Sequence, residues 1–98
     1  MNITKTTNGS ELAIALEGRL DTTTSPKLEA ELKQSITGVT GLTIDMAALE
    51  YISSSGLRVL LSAQKVMNKQ GSMVIKNVNE TIMEVFEITG FVDILTIE

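Results

Sequence analysis

The sequence contains no cysteine, no histidine and no tryptophan. Without cysteine, disulfides and thiolate metal sites are excluded. Without histidine, the usual general base and the commonest metal ligand are both missing. Carboxylates alone can serve a hard cation, but Asp21, Asp45 and Asp93 lie far apart with no loop-type spacing. They read as turn, strand-end and surface groups, so neither a metal nor a cofactor is expected. Basic residues are also scarce: eight Lys and Arg against twelve Asp and Glu leave a formal charge of −4. No basic stripe is present to neutralise phosphates, the one local cluster being Lys65, Lys69 and Lys76, so a nucleic-acid binder is not expected. No apolar run approaches the ~20 residues that span a bilayer. The first residues, Met1-Asn2-Ile3-Thr4-Lys5, lack the apolar core of a signal peptide. These absences predict a cytoplasmic protein without membrane insertion. Tyr51, Phe86 and Phe91 are the only aromatic residues, so the core is predicted to be aliphatic, with Met46, Met67, Met73 and Met83 as filling.

What is present has the grammar of one small domain, residues 1–98. Ile3 to Thr7 alternates and is followed by the turn pair Asn8-Gly9. Leu12 to Glu17 then alternates again, which predicts an antiparallel hairpin. Gly18 to Thr24 reads as a polar loop. Ser25-Pro26 opens a first helix as hydroxyl cap and first-position proline, with Leu28, Leu32 and Ile36 as its apolar stripe. Leu42 to Met46 alternates as a third strand, and Ala47 to Ser54 is predicted to connect it to a second helix over about Ser55 to Gln70. Leu57, Leu60 and Leu61 are that helix's predicted core residues, and Gly71 ends it in the left-handed conformation. Ser72 to Lys76 makes a fourth strand. Asn79 caps a third helix carrying Ile82, Val85 and Phe86, and Gly90 ends it. Phe91 and Val92 are expected to pack beneath, followed by a short strand from Ile94 to Ile97. Strands alternating with helices imply right-handed crossovers. The predicted fold class is therefore α/β: a small, mostly parallel sheet with an N-terminal antiparallel hairpin.

One stretch stands apart. In Ile52-Ser53-Ser54-Ser55-Gly56-Leu57 three consecutive hydroxyls sit where a strand-like run gives way to the second helix. Exposed N–H groups at a helix start attract anions, so a phosphoryl group on a serine there is electrostatically favoured. The bland alternative is that Ser54 or Ser55 serves as an ordinary N-cap. A hydrolase nucleophile is not expected, because the glycine two residues before the serine is lacking, no histidine exists to activate it, and no lysine has supporting helical spacing.

The ordered set of motifs resembles the STAS family, which includes bacterial anti-sigma factor antagonists and domains of sulfate transporters. The resemblance rests on Gly18-Arg19-Leu20-Asp21 leading into Ser25-Pro26, and on Leu42-Thr43-Ile44-Asp45 followed by Tyr51-Ile52. It continues through Ser54-Ser55-Gly56-Leu57, Gly71 before a strand, and Thr89-Gly90-Phe91. In that family the serine directly before this glycine is the one phosphorylated by a partner kinase, which is Ser55 here, with Ser54 as the fallback. The family often carries aspartate two residues earlier, where this chain has Ser53. Asp21 stands where the family usually has an acidic residue near the acceptor.

The resemblance implies an anti-sigma factor antagonist and no enzyme. Unphosphorylated, it would bind an anti-sigma factor that is also a serine kinase and so free a sigma factor; a phosphatase would reset it. Asp21, Thr22, Thr23, Ser53, Ser54, Gly56 and Arg58 are the residues expected at that partner interface. The alternative is an unphosphorylated STAS accessory subunit of a transporter or signalling complex.

Overall fold

Gly9 takes φ +64° and turns the chain between β1 (Asn2–Asn8) and β2 (Glu11–Leu20), which pair antiparallel from Asn2–Glu17 to Asn8–Glu11. The computed structural model, which describes residues 1–98, then runs through α1 (Ser25–Ser35), β3 (Gly41–Ile52), α2 (Ser54–Gln70), β4 (Ser72–Lys76) and α3 (Glu80–Thr89). The strands form one sheet in the order β1-β2-β3-β4, with β2–β3 and β3–β4 parallel. This is the mixed α/β architecture with one antiparallel edge that the alternation of elements predicts.

Along β2 the residues Leu12, Ile14, Leu16 and Leu20 are buried while their odd-numbered neighbours are exposed. The helices therefore cover one face of the sheet, and the other carries small or polar side chains such as Thr4, Thr6, Ala13 and Ala15. Even Lys5, on the covered face of β1, is neutralised there by Glu31 of α1 at 2.9 Å. The buried apolar residues of strands and helices form one cluster, with Phe86 its largest fully buried side chain. No helix is long and apolar enough to cross a membrane.

β2 runs three residues further than its alternation suggests, through Gly18-Arg19-Leu20, because Arg19 pairs with Tyr51 and Leu20 with Ile52. The polar loop is thus shortened to residues 21–24. β3 likewise continues six residues past Met46, through what reads as a connection. Two bulges explain the misreading. Between the pairs Ala15–Asp45 and Glu17–Ala48, β2 advances two residues and β3 three; between Gly18–Leu49 and Arg19–Tyr51, β2 advances one and β3 two. Each extra residue shifts the inward face by one position, so Leu42, Ile44 and Met46 are followed inward by Leu49 and then Ile52. Asp45, far from ending a strand, holds the first bulge: its Oδ1 accepts the Ala47 N–H at 2.9 Å and the Asn77 side-chain amide at 3.1 Å.

Several helix expectations are also corrected. Leu28 and Leu32 are buried in α1, but Ile36 lies just beyond the helix and is half-buried. In α2 Leu57 and Leu60 are buried, whereas Leu61 is only half-buried; Val59, Ala63, Gln64 and Met67 complete the inward face. Gly71 has φ 173°, an extended rather than left-handed backbone. Its requirement is space: a Cβ there would overlap the Thr40 carbonyl, whose oxygen accepts the Ser72 N–H at 2.9 Å. α3 begins as predicted, the Asn79 Oδ1 accepting the Ile82 N–H at 2.9 Å, and ends at Gly90 with φ +80°. A 3-10 turn (Phe91–Asp93) follows, in which Phe91 packs on the core but Val92 stays 39% exposed. The N–H groups of Ile94 and Leu95 still bond back to the Phe91 carbonyl, so of the last strand only an isolated parallel bridge, Ile75–Ile97, remains.

Candidate functional site

The serine run begins where β3 ends. Ile52 is buried, and the Ser53 N–H donates to the Leu20 carbonyl at 2.9 Å as the last bond to β2. Ser53 is extended (φ −98°, ψ 175°) and its Oγ accepts the Gly56 N–H at 3.4 Å. Ser53, then, is the N-cap of α2, and the helix starts one residue earlier than its periodicity suggests. Neither Ser54 nor Ser55 is committed to capping; both lie in the first turn, Ser54 exposed and Ser55 half-buried. Gly56 permits this placement. A Cβ at Gly56 would stand 2.8 Å from Leu20 Cγ and 2.9 Å from Ile52 Cγ1, so only glycine lets the helix start sit on the ends of β2 and β3.

Opposite this turn, residues 21–24 fold around the Asp21 carboxylate. Its Oδ1 accepts the N–H groups of Thr23 at 3.0 Å and Thr24 at 3.1 Å. Thr24 Oγ1 accepts the Asp21 N–H at 2.9 Å and donates to the Arg19 carbonyl at 2.7 Å. The Asp21 pKa is lowered, first by the Thr24 N–H, against a smaller desolvation, and further by the Thr24 hydroxyl, the Thr23 N–H and the Arg19 charge. Arg19 Nε lies 3.9 Å from Asp21 Oδ2, and its guanidinium stacks 4.2 Å above the Tyr51 ring. Ser25 is not the hydroxyl cap that Ser25-Pro26 suggests. It is the first residue of α1, and its buried side chain donates to the Asp21 carbonyl at 2.6 Å. The N-cap of α1 is Thr24, which makes no side-chain cap bond; Asp21 instead folds the loop before the helix, because its short carboxylate reaches the N–H groups two and three residues on.

With Asp21 turned into its own loop, the side chain that reaches the serine run is Thr22, whose Oγ1 is 3.5 Å from Ser55 Oγ. Thr22, Ser55 and Arg58 line one open cleft of about 220 Å³ between the starts of α1 and α2, closed by Ser25, Pro26, Glu29 and Val59. Of the predicted interface residues, the fold therefore brings Thr22 and Arg58 together with the expected acceptor, Ser55. Ser53 and Gly56 support them from beneath, Asp21 shapes the loop, and Thr23 and Ser54 are exposed on the rim. The α1 residues of the cleft were not legible in the sequence. Ser25 and Glu29 share a helical face at i and i+4, but nothing in the sequence shows that this face meets α2.

Chemically, Ser55 offers an accessible hydroxyl with one hydroxyl neighbour and no basic side chain bonded to it. Glu29, the one carboxylate lining the cleft, is paired with Lys33 at 3.5 Å. The arrangement suits an acceptor whose base is supplied by another protein, rather than an activated nucleophile.

Comparison with known proteins agrees with this fold. The Listeria monocytogenes anti-sigma-B factor antagonist is 32% identical over 104 residues, an alignment covering 100% of this chain and 90% of that protein. BtrV of Bordetella bronchiseptica, proposed to be an anti-sigma factor antagonist, is 38% identical over 88 residues, covering 88% of this chain and 76% of BtrV. Among solved structures, the Bacillus cell fate determinant SpoIIAA in its phosphorylated form superposes with a TM-score of 0.78 at 20% identity, over 99% of this chain and 91% of SpoIIAA. The STAS domain model matches residues 2–98, and the chain belongs to the STAS domain family.

Proposed function

We propose that this chain is an anti-sigma factor antagonist, switched by phosphorylation of Ser55. The observation that carries the reading is the division of labour in the serine run: Ser53 caps α2, which leaves the Ser55 hydroxyl free at the mouth of the Thr22–Arg58 cleft. Its relatives in Listeria and Bordetella bear the antagonist name, and the same fold exists in a phosphorylated form.

Unphosphorylated, the surface formed by Thr22, Ser54, Ser55 and Arg58, with Asp21, Thr23, Ser53 and Gly56 shaping it, binds an anti-sigma factor that is also a serine kinase. Sequestering that partner frees a sigma factor in the cytoplasm. The kinase transfers the γ-phosphoryl of ATP to Ser55: the Oγ–P bond forms, the bond to the ADP oxygen breaks, and the serine proton passes to a base of the kinase. A phosphatase reverses the step by hydrolysis. The chain itself performs no catalysis and holds no cofactor.

The modification adds about −1.5 to −2 charges. At a helix start each unit is worth roughly 0.3–1 kcal/mol of stabilisation, so the fold tolerates it. At an interface the same charge brings desolvation and repulsion, and a loss of about 4 kcal/mol weakens binding roughly a thousandfold. The test is capture from source-cell lysate with wild type, Ser55→Ala and Ser55→Asp, followed by mass spectrometry. A kinase-type partner held by Ser55→Ala and lost by Ser55→Asp supports the reading. Retention of one transporter or signalling assembly by both variants overturns it in favour of an unphosphorylated accessory subunit.

A further inference from the structure

We infer that Arg58 is a positioning residue for the phosphorylated state, holding the phosphoryl group of modified Ser55 inside the α1–α2 cleft. The inference rests on the Ser55 reading above and adds a device to it. Ser55 and Arg58 are three residues apart on α2, which puts their Cβ atoms about 5–6 Å apart on one helical face. Both line the same cleft. Four of the eight cations are engaged by carboxylates: Lys5, Arg19, Lys33 and Lys76. Arg58 has no such partner, and it is the only cation among the cleft residues. A guanidinium presents paired N–H donors that match phosphate oxygens, and its stem spans the distance from Cβ to the group on Ser55.

The charged groups facing the cleft are Arg58 from α2 and Glu29 from α1; the loop contributes the neutral Thr22. Phosphorylation therefore places a dianion between a cation with no carboxylate partner and a carboxylate already paired with Lys33 at 3.5 Å. The phosphoryl swings toward Arg58. This draws the guanidinium away from the surface offered to a partner, so one modification both adds a charge and removes a contact. It also shields the phosphorus from hydrolysis.

The experiment uses full-length protein with phosphoserine installed at position 55 during translation, so no kinase is needed. Phosphorus NMR titration gives the second phosphate pKa in wild type, Arg58→Gln, Arg58→Lys and Glu29→Gln. An exposed pair of this kind should make the Arg58→Gln value about half a unit higher than wild type. Arg58→Lys should fall between them, and Glu29→Gln should lie at or below wild type. Removal of the phosphoryl group by a broad-specificity protein phosphatase should be severalfold faster in Arg58→Gln. Equal pKa values and equal hydrolysis rates in wild type and Arg58→Gln, with thermal midpoints unchanged, would overturn the inference. Failure of the lysate capture would sink the switch reading while leaving this pair measurable, so the two can fail separately.

Discussion

Gly56 lies so close against Leu20 that an added Cβ would come within 2.8 Å of the leucine Cγ. Leu20 is fully buried at the end of β2, and Ile52 blocks the other side at 2.9 Å. Alanine is the better helix former by about 1 kcal/mol, yet Gly56→Ala should destabilise the protein. Overpacking of this kind costs about 1–3 kcal/mol, so a net loss near 1 kcal/mol is expected, read from the urea midpoint. A stabilised variant would show that the contact between α2 and the strand ends is looser than described.

Ser53 should behave differently from its two neighbours. Ser53→Ala removes the bond to the Gly56 N–H and should cost about 0.5–1 kcal/mol. Ser53→Asp caps equally well and faces the helix dipole, so stability should hold or rise slightly at neutral pH. Ser54→Ala and Ser55→Ala should stay within about 0.5 kcal/mol of wild type. Equilibrium unfolding of the four variants ranks the three hydroxyls directly.

Gly71→Ala should be the more damaging glycine substitution, because its Cβ would strike backbone rather than side chain. The Thr40 carbonyl it would overlap also accepts the Ser72 N–H. A loss of about 3 kcal/mol is expected, accompanied by faster amide exchange at Ser72. Unchanged exchange there would contradict the close approach of α2's exit to the chain before β3.

Acid should loosen the two carboxylate-centred turns. Asp21 is lowered chiefly by the Thr24 N–H, and Asp45 by the Ala47 N–H and then the Asn77 amide. A carboxyl whose folded pKa is lowered contributes stability above its unfolded value of about 3.9. That contribution is lost as pH falls from there through the folded pKa. Stability should fall as the pH drops below about 4, and less steeply in Asp21→Asn and Asp45→Asn. Denaturant midpoints across that range, identical in slope for wild type and both variants, would remove these carboxylates as the cause.

The sequence by itself determined the order of elements as far as α3, the antiparallel edge, and the caps at Asn79 and Gly90, because hairpins, amphipathic stripes and caps are local and their signals lie within a few residues. It also marked the serine run, while the choice of Ser55 within it came from the family resemblance. Tertiary structure decided what depends on pairing across the chain. β3 passes Met46 because two bulges, one held by Asp45 and Asn77, shift the inward register without leaving a periodic trace. Gly71 is required by the Thr40 backbone 31 positions earlier, not by its own dihedral angle. The cap of α2 falls on Ser53 because Leu20 and Ile52 leave room for nothing larger than Gly56 three residues on. The cleft itself exists only because Thr22 meets Ser55 across 33 residues, a contact set by how α1 and α2 lie on the sheet. Packing is a many-body condition, and no single stretch of the chain encodes it.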